Sequence, residues 1–119
     1  MDSVVLASPD FYDVKYAINP LTKVSSVVDK ERAYEQFNKL KSHFDKHKIP
    51  VHVIDTKRAD PSGKFPDMVF VSNSALILRG WPRKVAILAR YAKPERRGEE
   101  LLAGNLLHSL GYKVISLPD

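Results

Sequence analysis

No cysteine occurs anywhere in the 119 residues. A disulfide, a thiolate metal site and a cysteine nucleophile are therefore excluded, and a reducing, cytoplasmic setting is expected. Long apolar runs are missing as well. Ser74-Ala75-Leu76-Ile77-Leu78 is among the longest, far short of the roughly 20 residues a helical membrane span needs. Met1-Asp2-Ser3-Val4 places no basic residue ahead of its short apolar run, so no secretory signal is expected. There is no glycine-rich phosphate loop and no Gly-x-Ser-x-Gly nucleophile elbow. No organic cofactor is expected.

What is present is ordinary for a globular chain. Hydrophobic residues make up 44% and charged residues 28%, which excludes wholesale disorder. The length fits one domain, residues 1–119. The net charge is +5. Its positive residues are dispersed: Lys39, Lys41, Lys46 and Lys48, then Arg79, Arg83 and Lys84, then Arg96 and Arg97. With no arginine-rich tail and no interleaved aromatics, that pattern reads as a solvated surface and argues against nucleic-acid binding. His43 and His47 stand four apart on a helical stretch, but no Glu or further ligand accompanies them. No metal is expected there.

The chain alternates strand and helix signals. Val4 to Ala7 reads as a strand stopped at Ser8-Pro9, and residues 9–28 as a long loop with an Asn19-Pro20 turn signal. Asp29 is placed to cap a helix over Lys30–Lys48, with Ala33, Phe37, Leu40 and Phe44 on one face. Val51 to Ile54 alternates as a strand, and 55–64 reads as a loop. Met68–Val71 and Ala75–Leu78 are β-prone runs. They are joined either by a tight turn at Ser72-Asn73-Ser74 or as one bulged strand. Gly80-Trp81-Pro82 is a second turn signal, and Val85 to Ala89 another strand. Pro94 suits the first turn of a helix whose apolar face is Leu102, Ala103, Leu106, Leu107 and Leu110, with Gly111 at its end and Val114-Ile115 in a last strand. The pattern predicts an α/β fold in which a strand–helix–strand unit recurs over 4–54 and 85–117. On an unbroken strand Asp67 and Asn73 would share a face; a cap and a turn residue is the plainer alternative.

Pro66-Asp67-Met68-Val69-Phe70-Val71, followed by Ala75-Leu76-Ile77-Leu78, resembles the Pro-Asp-x-Val-Phe segment of the dimethylarginine dimethylaminohydrolases and amidinotransferases. Three more stretches resemble that family in matching order: Pro9 to Pro20, Ile87 to Glu100, and Gly111 to Pro118. The resemblance implies a partial α/β propeller, roughly two modules of a pseudo-five-fold set. It implies that Asp67 holds a substrate amino group, Asn73 faces the guanidinium and Arg90 grips the carboxylate, a task suited to a bidentate guanidinium. Many members carry Asp where Asn73 stands; an amide can hydrogen-bond a guanidinium but cannot neutralise it. The family reaction is thiolate attack on the guanidinium carbon with a histidine moving the proton. Without a cysteine this chain is expected to be inactive alone, with no catalytic residue of its own. An arginine-like small molecule is the implied ligand. A homo-oligomer or a complementing carboxy-terminal part is the implied partner. Two alternatives stay open: a non-enzymatic module binding arginine-like ligands, and a basic α/β nucleic-acid binder.

Overall fold

The computed structural model describes residues 3–15, 27–80 and 82–118. The chain divides into two compact units, Met1–Val69 and Phe70–Asp119. The Asn19-Pro20 turn and Trp81 of the second turn signal lie outside the described residues, as does most of the 9–28 loop.

The first unit pairs strand β1 (Val4–Ala7) in parallel with β2 (Val51–Ile54), in register from Val4↔Val51 to Ala7↔Ile54. Parallel neighbours need a crossover, and helix α1 (Lys30–Lys46) supplies it. The carboxylate of Asp29 caps α1 by accepting the Arg32 N–H at 3.0 Å. The helix stops two residues earlier than its periodicity predicts. Lys48 takes the left-handed conformation, φ 58°. The N–H groups of Lys48 and Ile49 then bond back to the Asp45 and Phe44 carbonyls at 3.0 and 2.9 Å. Pro50 favours extended backbone at Ile49 and so directs the chain into β2. Ala33, Phe37 and Phe44 are only half-buried, and no residue of α1 is fully buried.

After a single helical turn α2 (Thr56–Ala59) comes a loop organised by Asp60. Its buried carboxylate accepts the backbone N–H groups of Lys64 and Phe65, each at 2.9 Å. Asp60→Ala leaves the buried Phe65 donor and the Lys64 donor without that acceptor. A loss of about 2 kcal/mol in unfolding free energy is expected from chemical denaturation.

The stretch Met68–Val71 is not a strand. It forms parts of two 3₁₀ turns, Pro66–Val69 and Val71–Asn73. Proline opens the first, the Met68 N–H closes on the Phe65 carbonyl at 3.2 Å, and the Met68 side chain enters the core at 1% exposure. One buried side chain here replaces the alternation a strand would show. The shared-face argument for Asp67 and Asn73, which needed an unbroken strand, does not hold.

The second unit is a three-stranded sheet in the order β3 (Ala75–Leu78), β4 (Val85–Leu88), β5 (Lys113–Ile115). β3 runs antiparallel to β4, and β5 runs parallel to it. Helix α3 (Glu99–Ser109) links β4 to β5 and packs on the sheet, burying Val85, Ala86, Leu88, Ala103 and Leu107 as the core. Pro94 does not lie in α3. Pro94–Arg96 makes its own 3₁₀ turn, because Arg97 is extended and Gly98 sits at φ 113°, a left-handed break before the α-helix begins. At the other end Gly111 takes the expected left-handed role, φ 89°. The Gly111 and Tyr112 N–H groups bond to the His108 and Leu107 carbonyls, both at 3.0 Å.

Candidate functional site

In open α/β sheets ligands are held at the carboxyl ends of the parallel strands. Each unit gathers polar side chains at that end. In the first unit the Ser8 N–H extends the β1–β2 ladder to the Ile54 carbonyl at 3.0 Å. The Ser8 hydroxyl donates to Asp10 at 2.5 Å and accepts the Thr56 N–H at 2.9 Å. The buried Thr56 hydroxyl lies 2.8 Å from the same Asp10 oxygen and 3.0 Å from the Ser8 carbonyl. Tyr34, reaching over from α1, donates its hydroxyl to the other Asp10 oxygen.

Partial burial pushes the Asp10 carboxyl up, but hydrogen bonds from Ser8, Tyr34 and Thr56 and the charge of Lys57 outweigh it. The net result lies below the ordinary 3.8. The hydrogen bond to Asp10, then burial, pushes the Tyr34 phenol up to about 12. A carboxylate held so firmly ionised is a weak base, and no histidine joins the cluster. Its role is to fasten the loop after β1 to the start of α2.

The cluster has two pH signatures of opposite sign. Asp10 is depressed in the folded state, so its contribution is present above 3.8 and lost as the pH falls below that value. Tyr34 is raised, so its contribution is complete below 10 and lost as the pH climbs from 10 towards 12. Melting temperature measured against pH is expected to fall at both ends, and Tyr34→Phe is expected to flatten the alkaline fall.

Among the residues singled out in the sequence, Asp67 belongs to the first unit, half-buried in the turn Pro66–Val69. Asn73 and Arg90 belong to the second and lie at the same end of its sheet, Asn73 ahead of β3 and Arg90 past β4. The antiparallel register Ala75↔Leu88 continues through the Ala89 N–H, which donates to the Ser74 carbonyl at 2.8 Å. Ser74 has helical backbone angles, φ -82° and ψ -25°, and Asn73 lies in the turn Val71–Asn73, just ahead of β3. Arg90 directly follows Ala89 at the carboxyl end of β4, and its Nη1 donates to the Pro118 carbonyl beyond β5. Both side chains are exposed.

Sequence reasoning missed the group that engages Asn73. Arg96 Nη1 donates to Asn73 Oδ1 at 3.2 Å. The same guanidinium grips the Glu99 carboxylate through Nε at 2.8 Å and Nη2 at 3.1 Å, and stacks 4.5 Å from the Tyr91 ring centroid. Tyr91 in turn lies 3.2 Å from the Ser74 hydroxyl. Burial raises the Tyr91 phenol above its usual range, with Ser74 and Arg96 opposing the shift. The one advance signal was the spacing of Arg96 and Glu99, three residues apart across a helix start. His43 on α1 and His47 just past its end are exposed, and the described residues hold no group of three metal-ligating side chains. Among them, no helix is long and apolar enough to cross a membrane.

No protein-family model matches the chain. Individual proteins do. It is 31% identical over 111 residues to the N(G),N(G)-dimethylarginine dimethylaminohydrolase of Mycobacterium tuberculosis, covering 93% of this chain and 34% of that protein. It is 33% identical over 116 residues to the bifunctional arginine dihydrolase/ornithine cyclodeaminase ArgZ of Synechocystis, covering 97% of this chain and 15% of that protein. Among solved structures, the product-bound amino-terminal domain of ArgZ superposes with a TM-score of 0.79 at 32% identity, over 99% of this chain and 40% of that one. A cysteine-to-alanine variant of AgrE in complex with L-arginine superposes at 0.78 with 30% identity, over all of this chain and 17% of that one. The chain thus spans about a third of the mycobacterial relative and less of the cyanobacterial ones. In sequence, in α/β fold and in its likeness to an amino-terminal arginine dihydrolase domain, the chain belongs to the dimethylarginine dimethylaminohydrolase and amidinotransferase family of guanidine-modifying enzymes.

Proposed function

We propose that this chain, a single domain over 1–119, is the amino-acid-holding portion of a guanidine-modifying enzyme and does not turn its ligand over alone. It furnishes about two strand–helix–strand modules of an α/β propeller and works in the cytoplasm. Asp67 takes the ligand's amino group, Asn73 its head group and Arg90 its carboxylate. The observation that supports the reading is that Asn73, just ahead of β3, and Arg90, just past β4, lie at the same end of the second unit's sheet. The planar guanidinium of Arg90 is the side chain suited to a bidentate grip on a carboxylate.

Covalent turnover in this family's manner needs a thiolate, and the chain has no cysteine. A second copy would bring none either, so self-association cannot supply the nucleophile. A different, cysteine-bearing part is the required partner. Incubation with L-arginine, methylated arginines or agmatine is expected to release no citrulline and no ammonia above a no-protein control. Sustained release through rigorous purification overturns the reading.

Self-association is still part of the proposal. Leu76, Ile87 and Ile115 stand in register across the sheet, with Leu76 61% and Ile115 38% exposed. Exposed apolar rows on open sheets favour pairing. Sedimentation equilibrium over a hundredfold concentration range is expected to show mass above the monomer at the highest loading. Leu76→Glu is expected to return it to the monomer.

A further inference from the structure

The two units carry the chain's charge unevenly. Phe70–Asp119 holds eight lysines and arginines against four acidic residues, so it bears +4 of the chain's +5. No acidic residue occurs from Phe70 to Lys93 or from Leu101 to Pro118, the spans that contain β3, β4 and β5. Arg79 directly follows β3, Arg83 and Lys84 directly precede β4, and Lys113 opens β5. Val85 pairs with Leu78 on one side and Lys113 on the other, which gathers all four cations at the amino end of β4, away from Arg90. The Lys113 N–H donates to the Lys84 carbonyl at 2.8 Å. All four side chains are exposed, and among the described residues no carboxylate pairs with any of them.

An apolar strip adjoins these cations. Helix α3 covers the sheet face that holds Leu88 and Val114, which Gly104 approaches. Alternation puts Leu76, Ile87 and Ile115 on the other face, and Lys113 with them. There Leu76 and Ile115 remain exposed. Parallel strands are ordinarily covered on both faces. A cover for this face needs apolar side chains for the strip and carboxylates for its rim. A second copy presenting the same face matches the strip but sets cations against cations, which confines self-pairing to high loading.

We infer that this face is a docking surface for a different polypeptide, one that presents an apolar strip rimmed by Asp and Glu. The strip supplies adhesion, and the rim charges select the partner.

The test is fluorescence anisotropy with two labelled amphipathic helical peptides. Both carry leucine at the same positions; one has Glu at every polar position and the other Lys. The intact chain, at concentrations where it is monomeric, is expected to bind the Glu peptide roughly tenfold more tightly, the yield of several weak exposed pairs. An oligothymidylate of matching charge, which lacks the apolar strip, is expected to bind more weakly than the Glu peptide. Leu76→Ser is expected to weaken the Glu peptide roughly tenfold through the lost apolar contact. Arg83→Glu/Lys113→Glu changes two exposed side chains and is expected to bring the ratio of the two peptides near one. The wild-type arms decide the matter without any variant. Equal binding of the two peptides, preference for the Lys peptide, or binding of neither overturns the inference. Oligothymidylate binding as tight as that of the Glu peptide also overturns it, because the face is then a general polyanion surface. Arg90 lies at the other end of β4, so each of these outcomes is distinct from success or failure in binding L-arginine.

Discussion

Arg96→Met is expected to destabilise the second unit by about 3 kcal/mol, the scale of a buried ion pair robbed of one partner. Glu99 is 0% exposed and Arg96 12% exposed, so solvent does little to replace the lost pairing. The bidentate contacts at 2.8 and 3.1 Å are charge-assisted, which makes them worth more than neutral hydrogen bonds. Glu99 also opens α3, where the positive end of the helix favours a carboxylate. That help survives the substitution and keeps the loss towards the lower end of the range. Urea denaturation read by hydrogen exchange at the β4 amides measures the effect in the right unit. The double variant Arg96→Met/Glu99→Leu is expected to recover much of the loss, because it removes the buried Glu99 charge together with the guanidinium. A single-variant loss below about 1 kcal/mol would show that the pair behaves like a surface salt bridge.

Gly104→Val is expected to cost about 3 kcal/mol, through overpacking. Gly104 is buried in α3, and a Cβ there would lie 2.9 Å from Leu88 Cδ1 and 3.6 Å from Val114 Cγ1. Leu88 is itself buried at 3% exposure, so its methyl has little room to retreat. Valine adds two further methyls to this helix–sheet contact. Gly104→Ala is the informative companion. Its helix propensity gain of about 1 kcal/mol offsets a Leu88 shift of similar size, so near-neutral stability is expected. Thermal denaturation of the pair separates the two effects, since both variants gain propensity and only valine forces the sheet apart.

Much of the fold was legible because its elements carry their own local signals. The three- and four-residue spacing of Ala33, Phe37, Leu40 and Phe44 gave α1, and Asp29 gave its start. Gly111 gave the end of α3. Both parallel pairs follow from a strand, a helix and a strand in succession. The misreadings share a cause. Met68–Val71 is rich in strand-forming residues, yet Pro66 and the burial of Met68 draw it into 3₁₀ turns, and propensity yields to packing. The start of α3 moved from Pro94 to Glu99 because Gly98 breaks the helix first, a detail that a good N-terminal proline conceals. Asn73 and Arg90 were legible as residues only through family resemblance. Their placement at one end of the sheet depends on the antiparallel β3–β4 pairing, which no local pattern reveals. The polar groups Ser8–Asp10–Thr56 and Asn73–Arg96–Glu99 join residues that periodicity treats as loop or solvent-facing.

The central claim is that the chain holds an arginine-like amino acid by its amino and carboxylate groups. It is tested most directly by amide-resolved NMR titration of the labelled 119-residue chain. L-arginine and the N-α-acetyl methyl ester of arginine serve as paired ligands. The ester keeps the guanidinium but removes both charges that Asp67 and Arg90 would grip. The account predicts saturable shifts at Asp67, Asn73 and Arg90 with L-arginine and none with the ester. Saturable binding that leaves those three residues unmoved, or equal binding of the ester, would contradict it.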